Sequence, residues 1–162
     1  MEHVRTYKFR IKDGGSTRKQ LVRWAESVNF VWNYCNEASF EMLRRHSKWL
    51  SANDLMKLTN GTGKELGINS QTLQQVCKEY WTRRFNAKRR KLSWRTSKGA
   101  RRSLGWIPCT NQNVKILGDR IKYGGKSFRF WKTREIPSNV RTVSFNEDAR
   151  GRWYINIVCL VE

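Results

Sequence analysis

Three observations predict an α+β chain, in which a small antiparallel β-barrel is interrupted by an inserted helical bundle. Residues 4–12, VRTYKFRIK, alternate apolar and basic side chains. Residues 17–46 carry apolar side chains at three- and four-residue steps. Beyond residue 103 the texture changes to short β-rich runs separated by Gly, Pro and Asn. Period two, period 3.6 and regular turn punctuation predict a strand, a helix and a set of short antiparallel strands. The first strand would be a bare edge unless it joins the later ones. Residues 1–15 and 104–162 are therefore assigned to one discontinuous barrel, and 16–103 to the helices.

In the first strand Tyr7, Phe9 and Ile11 face one side, and Lys8, Arg10 and Lys12 the other. Asp13-Gly14-Gly15 ends it. Thr17 with Gln20 offers a capping box for a helix over 17–46. Its core stripe is Trp24, Val28, Val31, Cys35, Ala38 and Met42, with Leu21 and Trp32 beside it. Asn33, Tyr34 and Asn36 lie mid-helix, where asparagine is a poor helix former. They read either as a functional polar cluster or as a helix-packing set. Ser51 and Asp54 suggest a second cap and a short helix to about Leu58, followed by a loop at Asn60-Gly61-Thr62-Gly63. Ser70 is the expected cap of a further helix that opens on the amides Gln71, Gln74 and Gln75. Residues 113–117, 120–123, 126–131, 140–146 and 153–161 are the expected later strands.

Lys plus Arg number 33 against 13 Asp plus Glu, a net charge of +20 on 162 residues. Such an excess points to a nucleic-acid partner. No long apolar run or strongly amphipathic basic helix favours a membrane. With 38% hydrophobic residues and eight Trp, a folded core is expected rather than disorder. The start, MEHVRTYKFRIK, lacks a signal-peptide apolar core, so a cytoplasmic location is expected. Cys35, Cys77, Cys109 and Cys159 are scattered and form no CxxC pair, which predicts buried thiols rather than disulfides or a zinc site. No metal and no cofactor is expected.

The charge is concentrated in YWTRRFNAKRRKLSWRTSKGARR, residues 80–102. It holds Arg83, Arg84, Lys88, Arg89, Arg90, Lys91, Arg95, Lys98, Arg101 and Arg102, with no acid between Glu79 and Asp119. These are the candidates for holding phosphates, and the interleaved Trp81, Phe85 and Trp94 are the candidates for stacking on bases. At about 100° per residue, Leu73, Cys77 and Tyr80 share a helix face that continues as Arg84, Lys88, Lys91 and Arg95. The expectation is one helix whose core-facing stripe turns cationic in its last turns. Amides at the start of the same helix, Gln71 and Gln74 beside Ser70, are of a type that reads base edges.

The order of FVWNYCNE, SQTLQQVCKEYWTRRFNAKRR, LGWIPC, RIKYGGKSFRFW, REIP and VRTVSFNEDARGRWYINIVCLVE resembles the N-terminal half of TnpB (OrfB-type) proteins. These are transposon-encoded RNA-guided DNA nucleases related to compact type V CRISPR effectors. The resemblance implies that the barrel is a wedge domain and the helices a recognition domain. It further implies a prokaryotic, phage or mobile-element origin and structured guide-type RNA as the partner. Duplex DNA and a nuclease domain or RNA-guided nuclease complex are further partners that it allows. Positions reading a short target-adjacent DNA motif would fall at Ser70, Gln71 and Gln74, and at Thr110, Asn111 and Asn113. Protein would read the short motif, and base pairing the rest.

Members of that family continue into a nuclease domain, whereas this chain stops at Glu162. Two-metal cleavage needs clustered carboxylates, and none of the acids here forms an inward-facing set on the expected strands. Neither His3 nor His46 has a Ser or Cys in triad context, and no P-loop is present. No catalytic residue is assigned, and binding without cleavage is the expectation. Two readings of other classes stay open: a protein-interaction subunit docking on a nuclease partner, and a simple DNA-binding regulator.

Overall fold

The computed structural model describes all 162 residues, Met1 to Glu162. In chain order the elements are β1 (His3–Arg10), α1 (Ser16–His46), α2 (Ala52–Thr59), α3 (Thr62–Leu66) and α4 (Ser70–Ala87). There follow β2 (Trp106–Thr110), β3 (Val114–Leu117), β4 (Arg120–Tyr123), β5 (Lys126–Arg129), β6 (Val140–Glu147) and β7 (Trp153–Val161). The chain is α+β. It forms two compact units, Met1–Ala25 with Leu104–Glu162, and Glu26–Ser103, and the division falls within α1. No helix is long and apolar enough to cross a membrane.

The first unit holds two antiparallel sheets, one of order β1-β7-β6-β2 and one of order β3-β4-β5. β1 pairs along its whole length with β7, Tyr7 opposite Ile157 and Phe9 opposite Ile155. Tyr7, Phe9 and Ile11 are buried while Lys8 is exposed, as the alternation predicts. Beyond β1, Ile11 makes an isolated bridge to Phe130, and the Lys12 N–H donates to the Arg129 carbonyl at 2.9 Å. That bridge is where the sheets meet; neither closes on itself, so the expected barrel is not closed.

β2 was not among the expected strands; Pro108 lies at its centre and cannot donate to a ladder. The residue is tolerated because β2 is an edge strand, bonded only to β6, with Pro108 opposite Ser144. The core between the sheets is aromatic. Phe9 meets Phe130 at 5.3 Å between ring centroids, and Phe145 meets Tyr123 at 5.6 Å and Phe128 at 5.8 Å. Trp24 of α1 packs edge-on against Tyr123 at 5.0 Å and Phe128 at 5.7 Å, so the first turns of α1 belong to this unit. Asp13 is buried where β1 ends, accepting from the Trp153 N–H at 3.0 Å and from Arg18 Nη2 at 3.3 Å.

In the second unit α1 and α4 share a core. Trp32 stands edge-on to Tyr80 at 5.1 Å, Cys35 Sγ lies 3.8 Å from Cys77 Sγ, and Val28, Val31, Leu73 and Val76 are buried. All four cysteines are free and buried. Ala38 and Met42, expected in the core, are half-buried. The Ser51–Asp54 capping box forms as expected: the Asp54 N–H donates to Ser51 Oγ at 3.1 Å, and the Ser51 N–H to Asp54 Oδ2 at 2.9 Å. At α4 the cap is Asn69 rather than Ser70. Asn69 Oδ1 accepts from the Gln71 N–H at 2.8 Å, and Ser70 becomes the first helical residue. Both residue types suit a cap, and the backbone conformation chose between them.

Candidate nucleic-acid interface

The basic stretch does not continue as helix. α4 ends at Ala87, and Lys88 adopts a left-handed conformation, φ 53° and ψ 39°. Its N–H donates to the carbonyls of Arg84 and Phe85 at 3.0 and 3.3 Å. The expected cationic stripe Arg84–Lys88–Lys91–Arg95 is therefore not one helical face. The core face of α4 runs Leu73, Cys77, Tyr80 and on to Arg84, which is itself buried at 4% exposure. Residues past Lys88 then double back along α1.

What holds them there is a ladder of asparagines on α1. Asn36 Nδ2 donates to the Leu92 carbonyl at 2.7 Å, and the Leu92 N–H donates to Asn36 Oδ1 at 2.9 Å. One turn earlier Asn33 makes the same reciprocal pair with Arg95, both bonds at 2.8 Å. Asn29 completes the series: its Oδ1 accepts from Arg95 Nε at 2.6 Å and its Nδ2 donates to Ser97 Oγ at 2.9 Å. A side-chain amide has the donor and acceptor of a peptide group, so each asparagine pairs with backbone as a strand would. Asn36 Oδ1 also accepts from the Tyr80 hydroxyl at 2.6 Å, which ties the ladder to α4. Burial pushes the Tyr80 hydroxyl up to about 12, so it stays a donor at neutral pH. Asn33 and Asn36 are thus packing residues for the basic segment. Asn29 escaped the sequence reading, although its spacing of four and seven from them marks one helix face.

The docked segment and the end of α4 enclose an open cleft of about 600 Å³. Arg83, Arg89 and Arg95 line it, with Asn86, Ser93 and Trp94. No carboxylate lines it, although Arg83 Nε reaches Glu79 on the surface of α4 at 3.0 Å. Trp94 is 55% exposed. Burial, and then the like charge of Arg83, hold the Arg95 guanidinium below its ordinary value. Two cations that repel one another in a partly desolvated cleft form a favourable place for an anion.

The remaining basic residues divide by environment. Lys88, Arg89, Arg90, Lys98 and Arg101 are exposed, and Arg102 is half-buried. Lys91 is paired with Glu37 at 3.0 Å and lies over the Phe40 ring, so part of its charge is already matched. Arg84 lies over the Trp49 ring at 4.3 Å and donates from Nε to the Arg90 carbonyl at 3.2 Å; burial lowers its pKa. Its position is that of a core residue. Of the stacking candidates, Phe85 is 66% exposed and lies stacked on Trp81 at 5.2 Å.

Ser70 and Gln74 line a smaller hollow of about 270 Å³ with Lys64, and Gln71 is half-buried beside them. In the other unit Thr110 and Asn113 build the turn after β2: Asn113 Oδ1 accepts from the Thr110 N–H at 2.8 Å, and Thr110 Oγ1 accepts from the Asn113 N–H at 3.2 Å. Asn111 Nδ2 donates to the Val140 carbonyl at 3.0 Å. That unit also carries cation–ring pairs that the sequence reading did not single out. Lys8 lies over Tyr154 and Arg134 over Tyr7, each at 4.4 Å, and Lys12 lies over the half-exposed Trp131 at 5.3 Å. The basic alternation of β1 was the signal for them.

No group of three or more His, Cys, Asp or Glu side chains is placed to hold a metal ion. No protein-family model matches the chain, and no curated protein matches it.

Proposed function

We propose that this chain binds structured RNA of guide type, as a recognition-plus-wedge module of an RNA-guided system related to the TnpB proteins. The observation that carries the reading is the cleft lined by Arg83, Arg89 and Arg95, with Trp94 exposed beside them and no carboxylate in its lining. Guanidinium groups, with Arg95 held by the asparagine ladder and Arg83 and Arg89 lining the same cleft at the end of α4, suit phosphate oxygens, and an exposed indole suits an unpaired base. The net charge of +20 supports the same reading. In this proposal the two-sheet unit serves as the wedge and its basic aromatic surface follows the RNA backbone. Ser70, Gln71 and Gln74 read a short DNA motif, while the side chains of Thr110, Asn111 and Asn113 serve mainly to shape the turn after β2. The proposed activity is binding without cleavage.

The test is to purify the chain, sequence any RNA that copurifies, and titrate that RNA at several salt concentrations. RNA of defined size with a steep salt dependence supports the proposal. A protein that is free of nucleic acid and binds none added back overturns it. Labelled DNA incubated with the protein and Mg²⁺ or Mn²⁺ should be bound and left whole.

A further inference from the structure

The residue after Arg83 opens onto a different cavity. Arg84 lines a second cleft of about 470 Å³ together with Trp49, Trp81, Phe85 and Lys88. Its walls are mainly aromatic: Trp49 is 54% exposed, and Phe85 and Trp81 form a near-parallel stack with 20° between their planes. Two cations serve it, the buried Arg84 and the exposed Lys88, and no carboxylate lines it. The Arg84 guanidinium is incompletely satisfied. Nε donates to the Arg90 carbonyl, whereas Nη2 is buried and has no hydrogen-bond partner. A buried charged donor without an acceptor is costly; the Trp49 ring 4.3 Å away offsets part of that cost, and an acceptor arriving with a ligand would supply the missing hydrogen bond.

We propose that this cleft is a stacking site for one unpaired nucleobase of single-stranded RNA. The rings of Trp49, Trp81 and Phe85 take the faces of the base, Lys88 takes the adjoining phosphate, and Arg84 Nη2 donates to a carbonyl or ring nitrogen on the base edge. The proposal rests on the reading of the chain as an RNA binder and adds where a base leaves its stack. An apolar peptide would fill the same volume, and its backbone carbonyls would offer Arg84 an acceptor, but it would bring nothing anionic to Lys88. The charge therefore favours the base. Neighbouring residues divide between the two clefts, with Arg83 in one and Arg84 in the other, so a single strand crossing the end of α4 reaches both.

The experiment compares a 12-nucleotide oligoadenylate RNA with a ribose-phosphate chain of equal length that lacks bases. Each is titrated with the wild-type protein and with a Trp49→Leu, Phe85→Leu variant. Leucines keep apolar contacts and remove the rings; because Trp49→Leu also removes the ring beneath Arg84, a melting curve checks the fold, and Phe85→Leu alone serves if the double variant melts early. The wild type should prefer oligoadenylate. The variant should lose about tenfold in affinity for oligoadenylate, nothing for the abasic chain, and keep the same salt slope, because stacking is not a counterion effect. Equal binding of oligoadenylate by the variant and the wild type overturns the base site and leaves the RNA reading intact. So does an equal loss on both chains. If the wild type binds neither chain, nor its own copurified RNA, both proposals fall.

Discussion

Asn33 and Arg95 exchange two hydrogen bonds of 2.8 Å, side-chain amide to backbone, across 62 residues of chain. That pair, with Asn36 on Leu92, turns a charged tail into a fixed wall of the arginine cleft. Asn33→Ala would leave the Arg95 N–H and carbonyl without these partners in a partly buried place. The expected cost is about 1–3 kcal/mol of stability. It should be read as a lower melting temperature, together with faster amide exchange across residues 92–97 than in α4.

The three cleft arginines should dominate the salt dependence of RNA binding. Replacing Arg83, Arg89 and Arg95 together by Gln should reduce the slope of log K against log salt by about 2–3 units, at roughly 0.7–0.9 per phosphate contact. A filter-binding titration at four salt concentrations measures this, and an unchanged slope would remove the cleft from the interface.

Arg84 should behave differently, because it lies inside the helical unit. Arg84→Ala removes its contact with Trp49 and its bond to the Arg90 carbonyl. A loss of about 1–3 kcal/mol in denaturant unfolding is expected. Its effect on the salt slope should be smaller than that of Arg89→Ala, which is exposed.

Asp148 gives an acid-range prediction. Burial works to raise its carboxyl, but hydrogen bonds from the Arg152 N–H at 2.9 Å and Nε at 2.7 Å, and from the Arg150 N–H at 3.0 Å, outweigh it and hold the group at about 2 against an ordinary 3.8. A carboxyl depressed by folding stabilises the fold above its unfolded value. That contribution disappears as pH falls from about 4 through about 2. Asp148→Asn should therefore lower the melting temperature at pH 7, and the difference from wild type should narrow as the pH approaches 2.

Gly105 is a packing requirement. A Cβ there would stand 2.4 Å from the ring of Trp153, which is fully buried. Gly105→Ala must push that indole or the strand aside, at an expected cost of about 1–3 kcal/mol. Thermal unfolding measures it, and a neutral effect would mean that the end of β2 moves freely.

What the sequence determined by itself is what repeats locally. The alternation of Tyr7, Phe9 and Ile11 and the Ser51–Asp54 box rest on neighbours within one or two turns and formed as read, while the α1 stripe from Trp24 to Met42 is buried as far as Cys35 and half-buried at Ala38 and Met42. The excess of positive charge and its place in the chain were equally plain. Extrapolating the stripe of α4 was not safe, because periodicity says which face a helix presents and not where the helix stops. The stop at Lys88 and the return along α1 depend on Asn29, Asn33 and Asn36, whose partners lie 56 to 68 residues away. Pro108 is likewise decided by tertiary structure, because only its place in an edge strand makes the missing donor harmless. The arginine cleft was legible as composition, since Arg83, Arg89, Arg95 and Trp94 were all singled out. Which of the ten cations face it, that Arg84 is buried and that Lys91 pairs with Glu37 were settled only by tertiary packing, because these arise between segments that sequence order keeps apart.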